Sequence, residues 1–260
     1  MQQLLNDEFF VFAIELADIA ANISSKNFRQ HFAISTKDGN YPVTAIDLEI
    51  EEKIRSLIKH NYPEHGIIGE EFANSGVDKE YVWVIDPIDG TVAYTTGKAT
   101  YSTLIALLKD GEPVMGIIDQ AIMKERFIGV REYGAWLNGH QLKTSSCNDL
   151  SKARLNTTTP YMFKTDYEKK AFNELQKMTK VTSFGGDSYA YGLLAAGHID
   201  IIIEADLRYY DIASVIPIIE ESGGIITKWS GEQICLGNFN GRCLVSANAE
   251  LHKLALKIIQ

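Results

Sequence analysis

Cysteine is scarce and poorly placed for cross-linking. Cys147, Cys235 and Cys243 are odd in number and show no CxxC spacing, which disfavours a disulfide framework and a zinc site and fits a reducing cytoplasm. Histidine offers no metal site either: His31, His60, His65, His140, His198 and His252 are scattered without ligand spacing or a nucleophile partner, and most read as surface residues. Positive charge is short, with 25 Lys and Arg against 34 Asp and Glu and a formal net charge of −9, so neither nucleic acid nor an anionic membrane surface is an expected partner. No apolar run reaches transmembrane length, and Asp7, Glu8, Glu15 and Asp18 rule out a signal peptide at the N-terminus. Low-complexity segments, internal repeats, long linkers, a GxGxxG fingerprint and a P-loop are also missing. Gly185 and Gly186 instead read as the opening of a helix at Ser188.

The 260 residues that remain, 45% of them hydrophobic, suffice for one large domain or two packed subdomains. Phe9, Phe12, Leu16, Ile19 and Ile23 recur at helical spacing, and a second helix is predicted from Ala45 to His60 with Thr44 as N-cap and Ile50, Ile54, Leu57 and Ile58 as its buried stripe. Asp47 heads that inward face, where a carboxylate needs a reason to be. Strands follow at 81–85, 102–108, 114–119, 126–130 and 135–137, with turns at Lys109–Glu112 and Asn138–Gly139. From about Ser151 strands and helices alternate, with helices expected at 166–178, 188–196, 211–221 and the C-terminus. The reading is an N-terminal α+β half, residues 1–150, and a C-terminal α/β half, 151–260, whose cleft is the natural ligand site.

The segment Trp83–Thr91, WVIDPIDGT, carries the strongest signal. An apolar strand delivers Asp86, and Pro87 fixes the exit so that Asp89 turns back beside it. Two carboxylates in one small volume repel each other unless protons or cations intervene, and Mg²⁺ prefers such oxygens. Gly90 lets the backbone approach a ligand, and Thr91 adds a hydroxyl beside exposed N–H groups, which suits a phosphate oxygen. Alone, the string reads equally well as a turn.

Further acidic residues shift that balance. Glu70, after Ile67, Ile68 and Gly69, is placed to point toward Asp86, whereas Glu71 fits a solvated turn as well. Asp211 opens a predicted helix, a place where aspartate serves as a cap and stabilises by roughly 1 kcal/mol without any other role. Phosphate monoester hydrolysis can demand acceleration approaching about 10²¹-fold. A single positioned base contributes only about 10²–10⁴-fold, so carboxylates from several segments, holding paired metals, are what such chemistry requires. Asp47, Glu70, Asp86, Asp89 and Asp211 supply them.

These motifs resemble those of the inositol monophosphatase superfamily of Mg²⁺-dependent, lithium-sensitive phosphatases over nearly the whole chain. The matching segments are Lys37–Asp38 with Pro42–Asp47, IIGEE at 67–71, WVIDPIDGT, and Asp211–Ala213 with Glu220–Gly224. The resemblance implies a layered αβαβα sandwich, of the inositol monophosphatase and fructose-bisphosphatase type, and a homodimer. It implies two to three Mg²⁺ ions per site. Glu70, Asp86 and the carbonyl of Ile88 would hold the first, Asp86, Asp89 and Asp211 the second, and Asp47 a weaker third. Thr91 and Glu70 would orient and deprotonate the attacking water, and the N–H groups of Gly90 and Thr91 would hold the phosphate for direct in-line attack. Val92 and Ala93 after DGT, and Tyr210 before Asp211, depart from the usual pattern without touching an implied ligand.

Within the superfamily, segments 103–129, 185–197 and 202–224 most resemble the histidinol-phosphatase branch. Histidinol phosphate carries an ammonium and an imidazole, so its pocket should offer carboxylates beyond the metal ligands. Asp187 and Glu204 are the candidates; capping of the following helix explains Asp187 equally well, while Glu204 closes a buried strand. The expected partner is therefore a small phosphorylated metabolite, and the expected reaction is hydrolysis of L-histidinol phosphate in histidine biosynthesis. Inositol 1-phosphate or a broad range of sugar phosphates is the alternative. A bisphosphate nucleotidase is disfavoured by the lack of surplus basic residues. A silent regulator that binds metal and phosphorylated metabolites is disfavoured because every ligand and Thr91 are present. The polar residues and Gly39 near Lys37 and Asp38 fit a loop that closes over the site.

Overall fold

A computed structural model of the chain describes residues 4, 7–30, 34–37 and 41–260; Asp38 and the rest of the expected closing loop at 38–40 lie outside them. Helix α1 (Glu8–Asn27) is capped by Asp7, whose side chain accepts from the Phe10 N–H, and α2 (Ala45–Asn61) by a reciprocal box of Thr44 and Asp47. A short ladder of β1 (Ile34–Lys37) and β2 (Tyr41–Thr44) leads into α2.

Seven strands then form one sheet in sequence order: β3 (Gly66–Gly69), β4 (Tyr81–Asp89), β5 (Ser102–Lys109), β6 (Glu112–Gln120), β7 (Glu125–Val130), β8 (Gly134–Leu137) and β9 (His140–Gln141). Within this sheet, among the described residues, only β3 and β4 pair in parallel. The Asp110–Gly111 and Asn138–Gly139 turns carry positive φ at both residues, as two-residue hairpins require. The second sheet, order β11-β10-β12-β14-β13, comprises β10 (Arg154–Thr157), β11 (Val181–Phe184), β12 (Ile201–Glu204), β13 (Ile225–Lys228) and β14 (Cys243–Ser246).

Five layers result. The pleat sends Trp83, Ile85, Ile105 and Ile117 toward α1 and α2, while Leu104 and Ile118 face α5 (Asp187–Ala195) and α7 (Val215–Glu221). In the second sheet Ile202 and Val245 join that same central layer, whereas Ile201, Ile203 and Leu244 face α4 (Asp166–Met178) and α8 (Ala249–Ile259). This is the αβαβα sandwich that the resemblance implied. Two glycines set its tightest contact: a Cβ on Gly116 would stand 1.9 Å from the Ser214 carbonyl, and one on Gly129 2.4 Å from the Ile218 nitrogen. The helical layer thus lies directly on the sheet backbone. No helix among the described residues is long and apolar enough to cross a membrane.

Two expected elements change. Strand β4 runs on through Pro87 to Asp89, because a register shift between Asp86↔Leu104 and Asp89↔Ser102 puts the missing proline N–H in a bulge. The helix expected from Asp211 is two: α6 (Tyr209–Ile212) and α7, broken where Ser214 meets Gly116. Asp211 is therefore the third residue of α6, accepting from the Arg208 N–H at 2.6 Å, and caps by reaching back rather than by opening the helix.

His252 departs from the surface expectation. It is 4% exposed on α8, with Nε2 2.9 Å from Thr227 Oγ1 and Nδ1 3.1 Å from Ser246 Oγ, and burial pushes its pKa down to about 4. Below its unfolded value of about 6.5 the unfolded chain binds a proton that the folded chain refuses, so stability falls as the pH drops from there toward 4. Urea unfolding should find this residue responsible for about 2 kcal/mol of loss between pH 7 and pH 5. His252→Gln should flatten the pH dependence by that amount; an unchanged slope would show that the ring is protonated in the fold.

Candidate active site

The end of β4 meets the start of α5 and α6 at the border between the first sheet and the central helical layer. Two of these elements bring the clustered carboxylates: Asp86 and Asp89 from the bulge of β4, Asp211 from α6. One oxygen of each lies within 4.8 Å of the others. Thr103 Oγ1 on β5 anchors the bulge by donating to the Pro87 carbonyl at 2.8 Å. Ser188 ties the layers together: its N–H donates to Asp89 Oδ2 at 2.6 Å, and its hydroxyl lies 2.5 Å from Ser102 Oγ.

Burial raises all three carboxyl pKa values above the usual range. At Asp86 the charges of Glu70, Asp89 and Asp211 add to burial; at Asp211 those of Asp89 and Glu70 do so; at Asp89 the Ser188 bond opposes it. Asp86 Oδ1 is buried with no hydrogen-bond partner among the described residues. A hard divalent cation fits this donor set, since it would satisfy the orphaned oxygen and relieve the mutual repulsion.

Glu70 sits just beyond β3, with its N–H donating to the Ile85 carbonyl at 3.2 Å, and it lines a cavity of about 220 Å³ together with Asp89, Gly90, Thr91 and Asp211. Thr91 Oγ1 donates to the Ile88 carbonyl at 3.2 Å, while the Ile88 side chain is fully buried in the core. Gly90, at φ +81°, starts a single helical turn, α3 (Thr91–Thr95), whose first bond is Tyr94 N–H to Gly90 C=O at 2.9 Å. The N–H groups ahead of Tyr94 are thus left for an anion.

Asp47 stands apart from the trio. Its Oδ2 accepts from both the N–H and the hydroxyl of Thr44, its Oδ1 is buried without a hydrogen-bond partner among the described residues, and burial first, then the charge of Glu71, pushes its pKa up to about 6. Glu71 is accordingly half-buried and electrostatically linked to the site, not a solvated turn residue.

Asp187 and Glu204 line the same cavity as Glu70 and Asp211. Capping does not explain Asp187: Gly186 is the cap, and Asp187 follows it at φ +45° with no hydrogen bond to its carboxyl among the described residues. Burial, then Asp89 and Glu204, push its pKa up to about 8. Glu204 is held by Thr158, through its N–H at 2.9 Å and hydroxyl at 2.6 Å, and by Tyr191 Oη–H at 2.6 Å. Val92, Met162 and Leu207 complete the wall. Ser188 entered the sequence reading only as a helix start, and Thr158 and Tyr191 escaped it; the position of Tyr191 one turn after Asp187 was the one hint for those two.

The sequence pattern of the inositol monophosphatase family matches residues 5–260. The chain is 40% identical to a bifunctional phosphatase IMPL2, chloroplastic, of Arabidopsis thaliana, over 98% of this chain and 75% of that protein. It is 31% identical to a histidinol-phosphatase of Chlorobaculum parvum, over 91% and 90%. An inositol monophosphatase from Zymomonas mobilis superposes with a TM-score of 0.87 at 39% identity, over 95% of this chain and 96% of that one. Enzymes of this family use Mg²⁺ or a similar divalent metal. The match along nearly the whole chain, the shared fold and the carboxylate cluster lead to one conclusion: the chain belongs to the inositol monophosphatase family and is a phosphatase.

Proposed function

We propose that the enzyme hydrolyses L-histidinol phosphate to L-histidinol and phosphate, as a step of histidine biosynthesis. The observation that carries the reading is the carboxyl of Asp187, which accepts no hydrogen bond among the described residues, beside Glu204 in a cavity lined by Thr158, Ser188 and Tyr191 and, on its apolar side, by Val92, Met162 and Leu207. An ammonium fits the two carboxyls and would lower their raised pKa values, and a flat imidazole fits the apolar side. Inositol hydroxyls would need neutral or mixed partners there. The 31% identity to a histidinol-phosphatase supports the same substrate. The 39% identity to an inositol monophosphatase supports inositol 1-phosphate as the competing one.

Asp86, Asp89, Asp211, Glu70 and the Ile88 carbonyl would hold two Mg²⁺ ions, with Asp47 holding a weaker third. Mg²⁺ so bound polarises the phosphoryl group and acidifies water. Thr91 Oγ1 orients the attacking water, the Glu70 carboxylate takes up its proton, and the N–H groups of Gly90 and Thr91 bind the phosphate oxygens. Asp187 and Glu204 fix the ammonium, which aligns the ester with that water. The proposal includes a homodimer, as the family resemblance implies, and a reducing cytoplasm, which the free thiols of Cys147, Cys235 and Cys243 support.

Phosphate release with Mg²⁺ should favour L-histidinol phosphate over inositol 1-phosphate in kcat/KM, and EDTA should abolish both activities. A large preference for inositol 1-phosphate would remove the substrate assignment and leave the phosphatase standing. Asp187→Asn should raise KM for L-histidinol phosphate roughly 10- to 100-fold, the worth of a hydrogen bond to a charged group. The same variant should hydrolyse a phosphate ester without a cation almost as well as the wild type. Equal losses on both substrates would place Asp187 in the chemistry and not in recognition.

A further inference from the structure

The buried face of α2 carries two parallel ridges. Ile46, Ile50, Ile54 and Ile58 recur every four residues, and beside them Asp47, Glu51 and Arg55 do the same, all buried. Neighbours at i, i+4 and i+8 stack along one side of a helix. The isoleucines enter the core under the seven-stranded sheet. Charged residues so placed are costly: a buried ion pair is a weak source of stability compared with apolar residues of similar volume. What Glu51 and Arg55 touch is therefore informative.

They touch the turn that carries Glu70. Glu51 Oε2 accepts from the Glu71 N–H at 2.8 Å, and its Oε1 accepts from the Phe72 N–H at 3.2 Å and from Arg55 Nε at 2.7 Å. Arg55 donates from Nη1 to the Ala73 carbonyl at 3.1 Å and from Nη2 to the Phe72 carbonyl at 2.9 Å. Every backbone group bound by the pair belongs to the three residues that follow Glu70. The residue before it fits as closely: a Cβ on Gly69 would stand 2.0 Å from Glu51 Oε1 and 2.7 Å from Arg55 Nη2. On the opposite side the Glu70 N–H is bonded to Ile85, the neighbour of Asp86. Neither Glu51 nor Arg55 lines the cavity.

We propose that Glu51 and Arg55 are positioning residues for Glu70: the pair fixes the backbone of residues 69–73 so that the Glu70 carboxylate is presented to Asp86. Asp47 shares their ridge, so one helix sets the place of both Asp47 and Glu70. The inference rests on the reading of Glu70 as a metal ligand and proton acceptor.

Arg55→Lys tests it, because a lysine keeps the charge but cannot span Glu51 and two carbonyls at once. Mn²⁺ alone is titrated into the metal-free protein and followed by the EPR signal of the free ion, alongside activity against Mg²⁺ concentration. The Mn²⁺ Kd and the Mg²⁺ half-saturation should both rise about tenfold or more, the usual effect of losing an outer partner of a metal ligand. The kcat at saturating Mg²⁺ should change little. Gly69→Ala, which pushes on the pair from the other side, should behave alike, and with Glu51→Gln it carries the test if Arg55→Lys does not fold. A lower melting midpoint with wild-type Mn²⁺ affinity in these variants would make the pair merely structural and overturn the proposal. Glu70→Gln separates the two levels. Loss of Mn²⁺ affinity in Glu70→Gln alone would sink the positioning role and spare Glu70 as ligand; wild-type affinity and activity in Glu70→Gln would sink both.

Discussion

Carboxylates forced together and partly withdrawn from water are the constraint on which the rest of this molecule depends. One oxygen each of Asp86, Asp89 and Asp211 lies within 4.8 Å of the others. At an effective dielectric constant near 20, a pair of unit charges at that separation repels by about 3.5 kcal/mol. Three such pairs rival the whole stability of a typical domain, roughly 5–15 kcal/mol. The fold resists this by giving single carboxylates fixed donors: Ser188 for Asp89, Arg208 for Asp211, Thr44 for Asp47. Asp86 Oδ1 alone among the trio's buried oxygens keeps no partner among the described residues. A cation there converts the main source of strain into the main source of order.

Packing transmits that requirement through the layers. Asp86 and Asp89 belong to the first sheet, Asp211 and Ser188 to the central helices, so their separation is the separation of two layers. Gly116 and Gly129 allow the helical layer to rest on strand backbone, with the Ser214 carbonyl where a side chain would otherwise project. A larger residue at either position would lift α7, and the segment that carries Asp211 with it. The glycines are far in sequence from Asp86, Asp89 and Asp211, yet they set the spacing of those carboxylates.

Local chemistry was the legible part. The Thr44 cap, the paired-residue turns at Asp110–Gly111 and Asn138–Gly139, the antiparallel meander and the DPIDGT string are encoded within a few residues each, where propensity and sterics decide. What could not be read depends on partners supplied only by folding. Strand β4 continues through Pro87 because Ser102 meets Asp89 across a bulge, and the helix after Asp211 breaks because Ser214 meets Gly116. Ser188 reaches Asp89 across 99 residues of sequence. Glu51 and Arg55 were half visible: their spacing from Asp47 put them on the inward face of α2, but an i, i+4 ion pair reads as a surface feature until its burial is known.

The same distinction explains why the catalytic motif says little about the substrate. A metal site demands fixed oxygen geometry, which a strand bulge and one helical turn can impose over the few residues from Asp86 to Thr91. Recognition of the organic cation proposed above demands an electrostatic environment, and the residues that would supply it are remote from the motif. Glu204 has both oxygens engaged by Thr158 and Tyr191, which fixes the direction of its carboxylate without neutralising it. Asp187, whose carboxyl accepts no hydrogen bond among the described residues and which is held at positive φ after Gly186, is pushed up to about 8 in part by that charge. In the proposed reading the two carboxyls would therefore work unequally: Glu204 would supply a fixed acceptor, and Asp187 would be the group whose ionisation a bound ammonium restores.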